Sequence, residues 1–229
     1  MKTLPRKYGP QHIGVAVCLL FLMNGAAAQD SPLAQILIDG ESWQAVNANP
    51  RMFLEVEVPR GELAAGDSVK TGRGSVYFTL PDQHAVYVIV DGKKRLVAEG
   101  IPSPRRLVLW PDEGTLVVSD PTGKHLWTFR IDADGGLSGK EPYYTLRTPP
   151  GTKASGAGQM TVDKAGHLYV TSTLGIQVFD PTGRLSGVLT NPPGGVPISV
   201  TFGGADNDTL YVTCGDKVYC RKTKAKGAK

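Results

Sequence analysis

GQMTVDKAGHLYVTSTLGIQVFDPTGRLSGVL, residues Gly158 to Leu189, is a run of short strands joined by tight turns. Apolar side chains alternate at Met160 and Val162, Asp163 to Gly166 turns the chain, Leu168 to Val170 and Ile176 to Phe179 are β-rich, and Asp180 to Gly183 turns it again. Three or four strands in so short a span make one blade of a β-propeller.

The triplet Leu168-Tyr169-Val170 recurs as Val76-Tyr77-Phe78, Leu116-Val117-Val118 and Leu210-Tyr211-Val212, at the spacing of propeller blades. A glycine- or aspartate-rich turn precedes each copy: Gly72 to Gly74, Pro111 to Gly114, Asp163 to Gly166, Gly203 to Asp208. Strands are expected before the turn at Leu107 to Trp110, Met160 to Val162 and Ile198 to Phe202, and after the triplet at Ala85 to Val90, Leu126 to Ile131, Ile176 to Phe179 and Lys217 to Cys220. The fold expected is all-β, an incomplete propeller with about four recognisable blades. Between Leu33 and Gly72, strands are expected at Ile36 to Ile38, around Trp43 to Val46, and at Phe53 to Val58. One of them is expected to complete the last blade. Edges left open by missing blades predict a homodimer.

The ends divide from the body. Lys2, Arg6 and Lys7, the apolar run Ile13 to Met23 and the small residues Ala26 to Ala28 form a signal peptide over 1–28, so export to the periplasm or medium is expected, with no membrane anchor after cleavage. The segments expected to follow are 29–72, a propeller region over 73–222 and a basic tail over 223–229. The formal charge of +4 comes from the ends. Without the signal segment, 22 basic residues face 21 acidic ones; without Arg221, Lys222, Lys224, Lys226 and Lys229 as well, 17 face 21. A mildly acidic body is not the footprint of a nucleic-acid binder, and the tail is expected to fray into solvent. Cys214 and Cys220 flank a Gly215-Asp216 turn that sets Thr213, not a cysteine, opposite Val218, so no disulfide is expected.

From Gly74 to Gly227, through GSVYFT, LWPDEGTLVVSD, FRIDADGGLSGKEPYY, GQMTVDKAGHLYV, GIQVFDPTGRLSG and FGGADNDTLYVTCGDKVY, the chain resembles the senescence-marker-protein/gluconolactonase-like propellers. These are six-bladed lactone hydrolases that use one divalent metal. ILIDGESWQAV, Ile36 to Val46, is similar to the family's N-terminal segment, but the two blades that follow it there have no counterpart here. The resemblance implies a small sugar lactone or sugar acid as ligand and calcium, zinc or magnesium as cofactor wherever the family chemistry persists. A hard cation at the channel mouth needs at least three oxygen ligands, with positions left for lactone and water.

Carried over residue by residue, the resemblance places Gly66 at a substrate-side asparagine, Arg105 at an asparagine ligand and Gly158 at an aspartate ligand. The family's glutamate lies in one of the missing blades. Glycine has no side-chain oxygen and arginine only donates, so the resemblance implies lactonase activity that is impaired or lost, unless Glu55, Glu57, Asp67 or Asp163 replaces the set. The alternative is a non-catalytic propeller for an anionic sugar-like ligand or a protein partner. Asp67, Arg105, Arg106 and Gln159 are the candidates at the mouth: two guanidiniums for an anion, two polar groups for hydroxyls. His84, His125 and His167 sit beside turns at no metal-binding spacing. A triad of Ser103, His125 and Asp120 lacks a nucleophile elbow. Trp110, Trp127, Tyr169 and Phe179 are expected in the core, Tyr143 and Tyr144 on a sugar-binding rim.

Overall fold

The structure, a computed structural model, describes residues 32–50 and 66–228. Among these, sixteen strands form four antiparallel four-stranded sheets. The first blade is β2 (Asp67–Lys70), β3 (Val76–Leu80), β4 (Ala85–Val90) and β5 (Lys93–Glu99), from the channel outward. The second is β6 (Leu107–Leu109), β7 (Thr115–Val118), β8 (His125–Ile131) and β9 (Leu137–Thr145), and the third β10 (Met160–Val162), β11 (Leu168–Ser172), β12 (Gly175–Phe179) and β13 (Leu185–Leu189). The fourth runs β14 (Ser199–Gly203), β15 (Thr209–Cys214) and β16 (Lys217–Lys222), and its outermost strand is β1 (Gln44–Val46). Each recurring triplet lies in the second strand of its blade, where strands buried on both faces favour β-branched and aromatic residues.

Because side chains alternate across a strand, each blade turns one row toward the blade before it and one toward the blade after it. Three hydrophobic clusters result. Tyr77, Val88, Leu116 and Phe129 join the first two blades. Val117, Tyr144, Leu168 and Phe179 join the second to the third, and Tyr169, Val178, Phe202 and Leu210 join the third to the fourth. Edge-to-face ring pairs reinforce the latter two seams, Tyr144 on Phe179 at 5.3 Å and Tyr169 on Phe202 at 5.2 Å, each adding about 0.5–1.5 kcal/mol beyond buried area. The described residues form no such cluster between the fourth blade and the first.

The N-terminal segment does complete the last blade: Gln44, Ala45 and Val46 pair with Cys220, Tyr219 and Val218. Trp43 adds an Nε1–H bond of 2.7 Å to the Thr190 carbonyl. At Ile36 to Ile38, however, the expected strand is one bridge between Leu37 and Thr223. The N–H groups of Ile36 and Leu37 bond back to the Leu33 carbonyl at the end of a 3-10 turn over Pro32–Gln35, which withholds them from a ladder. Phe53 to Val58 lies outside the described residues.

The tail corrects the expectation of a frayed end. Lys226 accepts the Lys164 N–H, Gly227 exchanges bonds with Asn207, and the Ala228 N–H reaches the Val162 carbonyl, so residues 226–228 thread along the base of the third and fourth blades. A Cβ on Gly227 would meet Phe202 Cβ and the Asn207 amide, so only glycine fits that passage. Lys224 points away and bonds the Ala34 carbonyl. Thr213 pairs with Val218 across the Gly215-Asp216 hairpin, and both cysteines are free thiols.

Candidate functional site

One hydrogen bond repeats in all four blades and defines the mouth. The N–H of a residue one or two positions before the inner strand donates to the carbonyl of the residue that follows the recurring triplet. The pairs are Gly66 to Thr79, Arg105 to Ser119, Gly158 to Thr171 and Ile198 to Thr213, at 2.8–3.0 Å. Gly66, Arg105, Gly158 and Ile198 are therefore equivalent positions, one per blade, at the same end of the channel. Three of them are the positions that the sequence resemblance singled out. The residue after each triplet always bears a hydroxyl, Thr79, Ser119, Thr171 or Thr213, and all four are buried. That regularity stood in the sequence beside each triplet, and sequence reasoning passed over it.

Three of these hydroxyls hold the mouth's backbone in place. Thr79 Oγ1 donates to the Arg105 carbonyl at 3.2 Å, Ser119 Oγ accepts the Arg106 N–H at 3.0 Å, and Thr171 Oγ1 donates to the Gln159 carbonyl at 3.3 Å. Thr213 Oγ1 is fully buried with no hydrogen-bond partner among the described residues. Thr79 finds its acceptor in the following blade; for Thr213, on the matching face of the fourth blade, the described residues supply no following blade.

Arg105, Arg106, Gly158, Thr171, Val196 and Ile198 line a cavity of about 410 Å³ at this end. Arg105 is exposed, and its guanidinium has no hydrogen bond or ion pair among the described residues. Arg106 is half-buried and committed to the first blade, with Nη1 3.3 Å from the Gly66 carbonyl and 3.9 Å from Asp67. Asp67 is engaged as well: Oδ2 accepts the Leu107 N–H at 2.8 Å and Oδ1 the Ser68 N–H at 2.9 Å. Burial raises its pKa, opposed by the Leu107 N–H and by Arg106. This carboxylate ties the first blade to the second instead of facing a ligand. Gln159 does not line the cavity; it gives its carbonyl to Thr171.

The described residues of the mouth do not fit a divalent cation. Its four equivalent positions carry no side-chain oxygen, and one carries a fixed positive charge. A Cβ on Gly158 would stand 2.5 Å from Thr171 Oγ1, and one on Gly66 would stand 2.9 Å from Thr79 Oγ1 and Pro81 Cγ. Neighbouring hydroxyls thus close in where a liganding side chain would begin. Among the described residues no three His, Cys, Asp or Glu side chains stand together in a way that could hold a metal ion. Glu55 and Glu57 lie outside the described residues. Asp163, at the base, accepts four bonds from Ala165 N, His167 N, His167 Nδ1 and the Tyr169 hydroxyl at 2.8–3.0 Å.

The remaining candidates are scattered. His84 bonds the Pro102 carbonyl and His125 the Thr145 hydroxyl, while Asp120 caps its own turn through Thr122. Ser103, His125 and Asp120 thus form no relay. Tyr169 and Phe179 are fully buried, and Trp110 and Trp127 pack against the clusters. Tyr143 and Tyr144 correct the rim expectation. Both lie on the outermost strand of their blade, Tyr144 within the core and Tyr143 against Gly183 in a base-end turn. Burial raises the Tyr144 pKa.

The SMP-30/Gluconolactonase/LRE-like region family matches residues 51–216. A gluconolactonase from Zymomonas mobilis is 27% identical over 223 residues, covering 82% of this chain and 62% of that protein. A pentonolactonase from Haloferax volcanii is 26% identical, covering 77% and 58%. Among solved structures, a gluconolactonase from Xanthomonas campestris superposes with a TM-score of 0.58 and 26% identity, over 69% of this chain and 57% of that one. The chain therefore spans about three fifths of the length of these relatives.

Proposed function

Because the chain belongs to the SMP-30/Gluconolactonase/LRE-like family, we propose that it is an exported carboxylate-binding propeller. Its mouth takes the hydroxy acid that ring opening of a lactone yields, through Arg105, in place of lactone on a metal ion. The observation that carries this reading is the Arg105 guanidinium, unpaired among the described residues and set at a mouth position equivalent to Gly66 and Gly158. A guanidinium presents two parallel N–H groups to a carboxylate, a geometry that a neutral lactone cannot match. Export is supported by the basic, apolar and small-residue blocks of residues 1–28.

Calorimetric titration tests the reading. Gluconate is expected to bind the purified protein, and Arg105→Ala to weaken it roughly tenfold or more, the order of one charge-assisted hydrogen bond. Calcium, zinc and magnesium are expected to bind without one-to-one stoichiometry and to leave lactone hydrolysis unchanged. Tight binding of one of them with metal-dependent turnover would overturn the proposal and point to ligands such as Glu55 or Glu57.

A further inference from the structure

The donors and the walls of the mouth narrow the ligand further. The N–H groups of Arg105, Gly156, Ala157, Gly158, Thr173 and Ile198 all donate within the protein. The side-chain hydroxyls do the same: Thr171 to Gln159, Ser172 to Gly175 and Thr173 to Ser155. Arg106 gives its N–H to Ser119 and a guanidinium N–H to Gly66. Beside the Val196 N–H and the remaining Arg106 N–H groups, the charged donor left for a ligand among the described residues is the Arg105 guanidinium. A polyol needs several donors and acceptors around its ring, and where it cannot pair them its desolvation opposes binding.

The wall beside Arg105 is apolar instead. Val196 and Ile198, 50% and 46% exposed, are among the most exposed large apolar side chains described, and Pro197 stands between them. Ala157 and Pro121 continue the surface. Ile198 also holds the mouth position equivalent to Arg105 two blades away. One cavity thus sets a cation that is unpaired among the described residues beside a hydrocarbon wall.

Resting on the carboxylate reading above, we infer that the ligand is an amphipathic carboxylic acid: one carboxylate on Arg105 and an aliphatic or aryl body against Val196 and Ile198, not a polyhydroxylated sugar acid. Apolar surface removed from water supplies the affinity, and the charge sets the orientation.

Octanoate and gluconate, of equal charge and unlike bodies, separate the two readings by calorimetry on the intact protein. Octanoate is expected to bind at least about tenfold more tightly than gluconate, since several methylenes leave water. Ile198→Ser and Val196→Ser, both at exposed positions that leave the core untouched, are expected to weaken octanoate several-fold and leave gluconate unchanged. Arg105→Ala is expected to weaken both acids. Equal or tighter binding of gluconate, or octanoate binding indifferent to both serine variants, overturns this inference and leaves the carboxylate reading standing. Failure of both acids to bind a protein that still melts cooperatively overturns the two together.

Discussion

The two ends of the channel are built by the same strands and solve opposite problems. At the base, the tail closes over the third and fourth blades, and Asp163 gathers four donors. At the mouth, the equivalent positions end in Gly66, Arg105, Gly158 and Ile198, and a cavity stays open beside the last three. Asp163 and the tail leave few open groups at the base; the mouth holds a cation unpaired among the described residues and an exposed apolar wall. Hydrogen-bond capacity retained at one end of a largely satisfied scaffold is what a binding site requires. Substitutions at the base should therefore act on stability and those at the mouth on binding.

The largest effect is expected from Asp163→Ala, which strands three N–H donors and the buried Tyr169 hydroxyl. A loss of about 3–5 kcal/mol is anticipated in chemical denaturation. A loss under about 1 kcal/mol would show that the base is not the anchor described here. Gly227→Val comes next, at about 1–3 kcal/mol, because the new side chain meets Phe202 and Asn207. Gly40→Ala, with open space around its Cβ but a positive φ, is the milder comparison.

A sharper test compares two threonines at equivalent positions. Thr171→Val deletes a hydroxyl that bonds the Gln159 carbonyl and should cost about 1 kcal/mol. Thr213→Val deletes a buried hydroxyl without a partner and should be neutral or stabilising. Equal losses at both would mean that Thr213 Oγ1 has an acceptor after all.

The smallest effect is in pH. The hydrogen bond to Asp163, opposed by burial, raises the pKa of His167 above its ordinary 6.5. The folded protein thus holds that proton more tightly than the unfolded chain, and the stability gained is fully present below about pH 6.5. It is lost as pH rises through the folded-state pKa. Melting curves from pH 5 to 9 should show this decline, and His167→Gln should flatten it. A decline that persists in the variant would assign it to another group.

Much of the scaffold was legible because a propeller writes its period into the chain. The four triplets mark the second strand of each blade, and the Gly215-Asp216 turn fixed Thr213 opposite Val218. The closing strand at Gln44–Val46 was legible for the same reason: a ring needs a strand from its other end. The tail was not, because its contacts are backbone bonds and a close glycine passage, and neither leaves a hydrophobic pattern. Arg105 was visible as a substitution at a ligand position. Its freedom beside a committed Arg106 was not, since the Asp67 and Gly66 partners come from 40 residues away in sequence. Tyr143 and Tyr144 misled because a loop-like, glycine-rich neighbourhood concealed a long outer strand.

β1 belongs to a blade whose other strands are the last in the chain. Its partners Val218 to Cys220 are made long after Gln44 to Val46, and Ile36 and Leu37 wait equally for Lys224 and Thr223. The fourth blade is finished only when Gln44–Val46 meets Val218–Cys220, and among the described strand pairings this one closes the longest loop, so it is expected to form late. Trimming either end unlatches the same blade. A protease acting at residue 40 and one acting at residue 220 should release the protein into the same partly opened state.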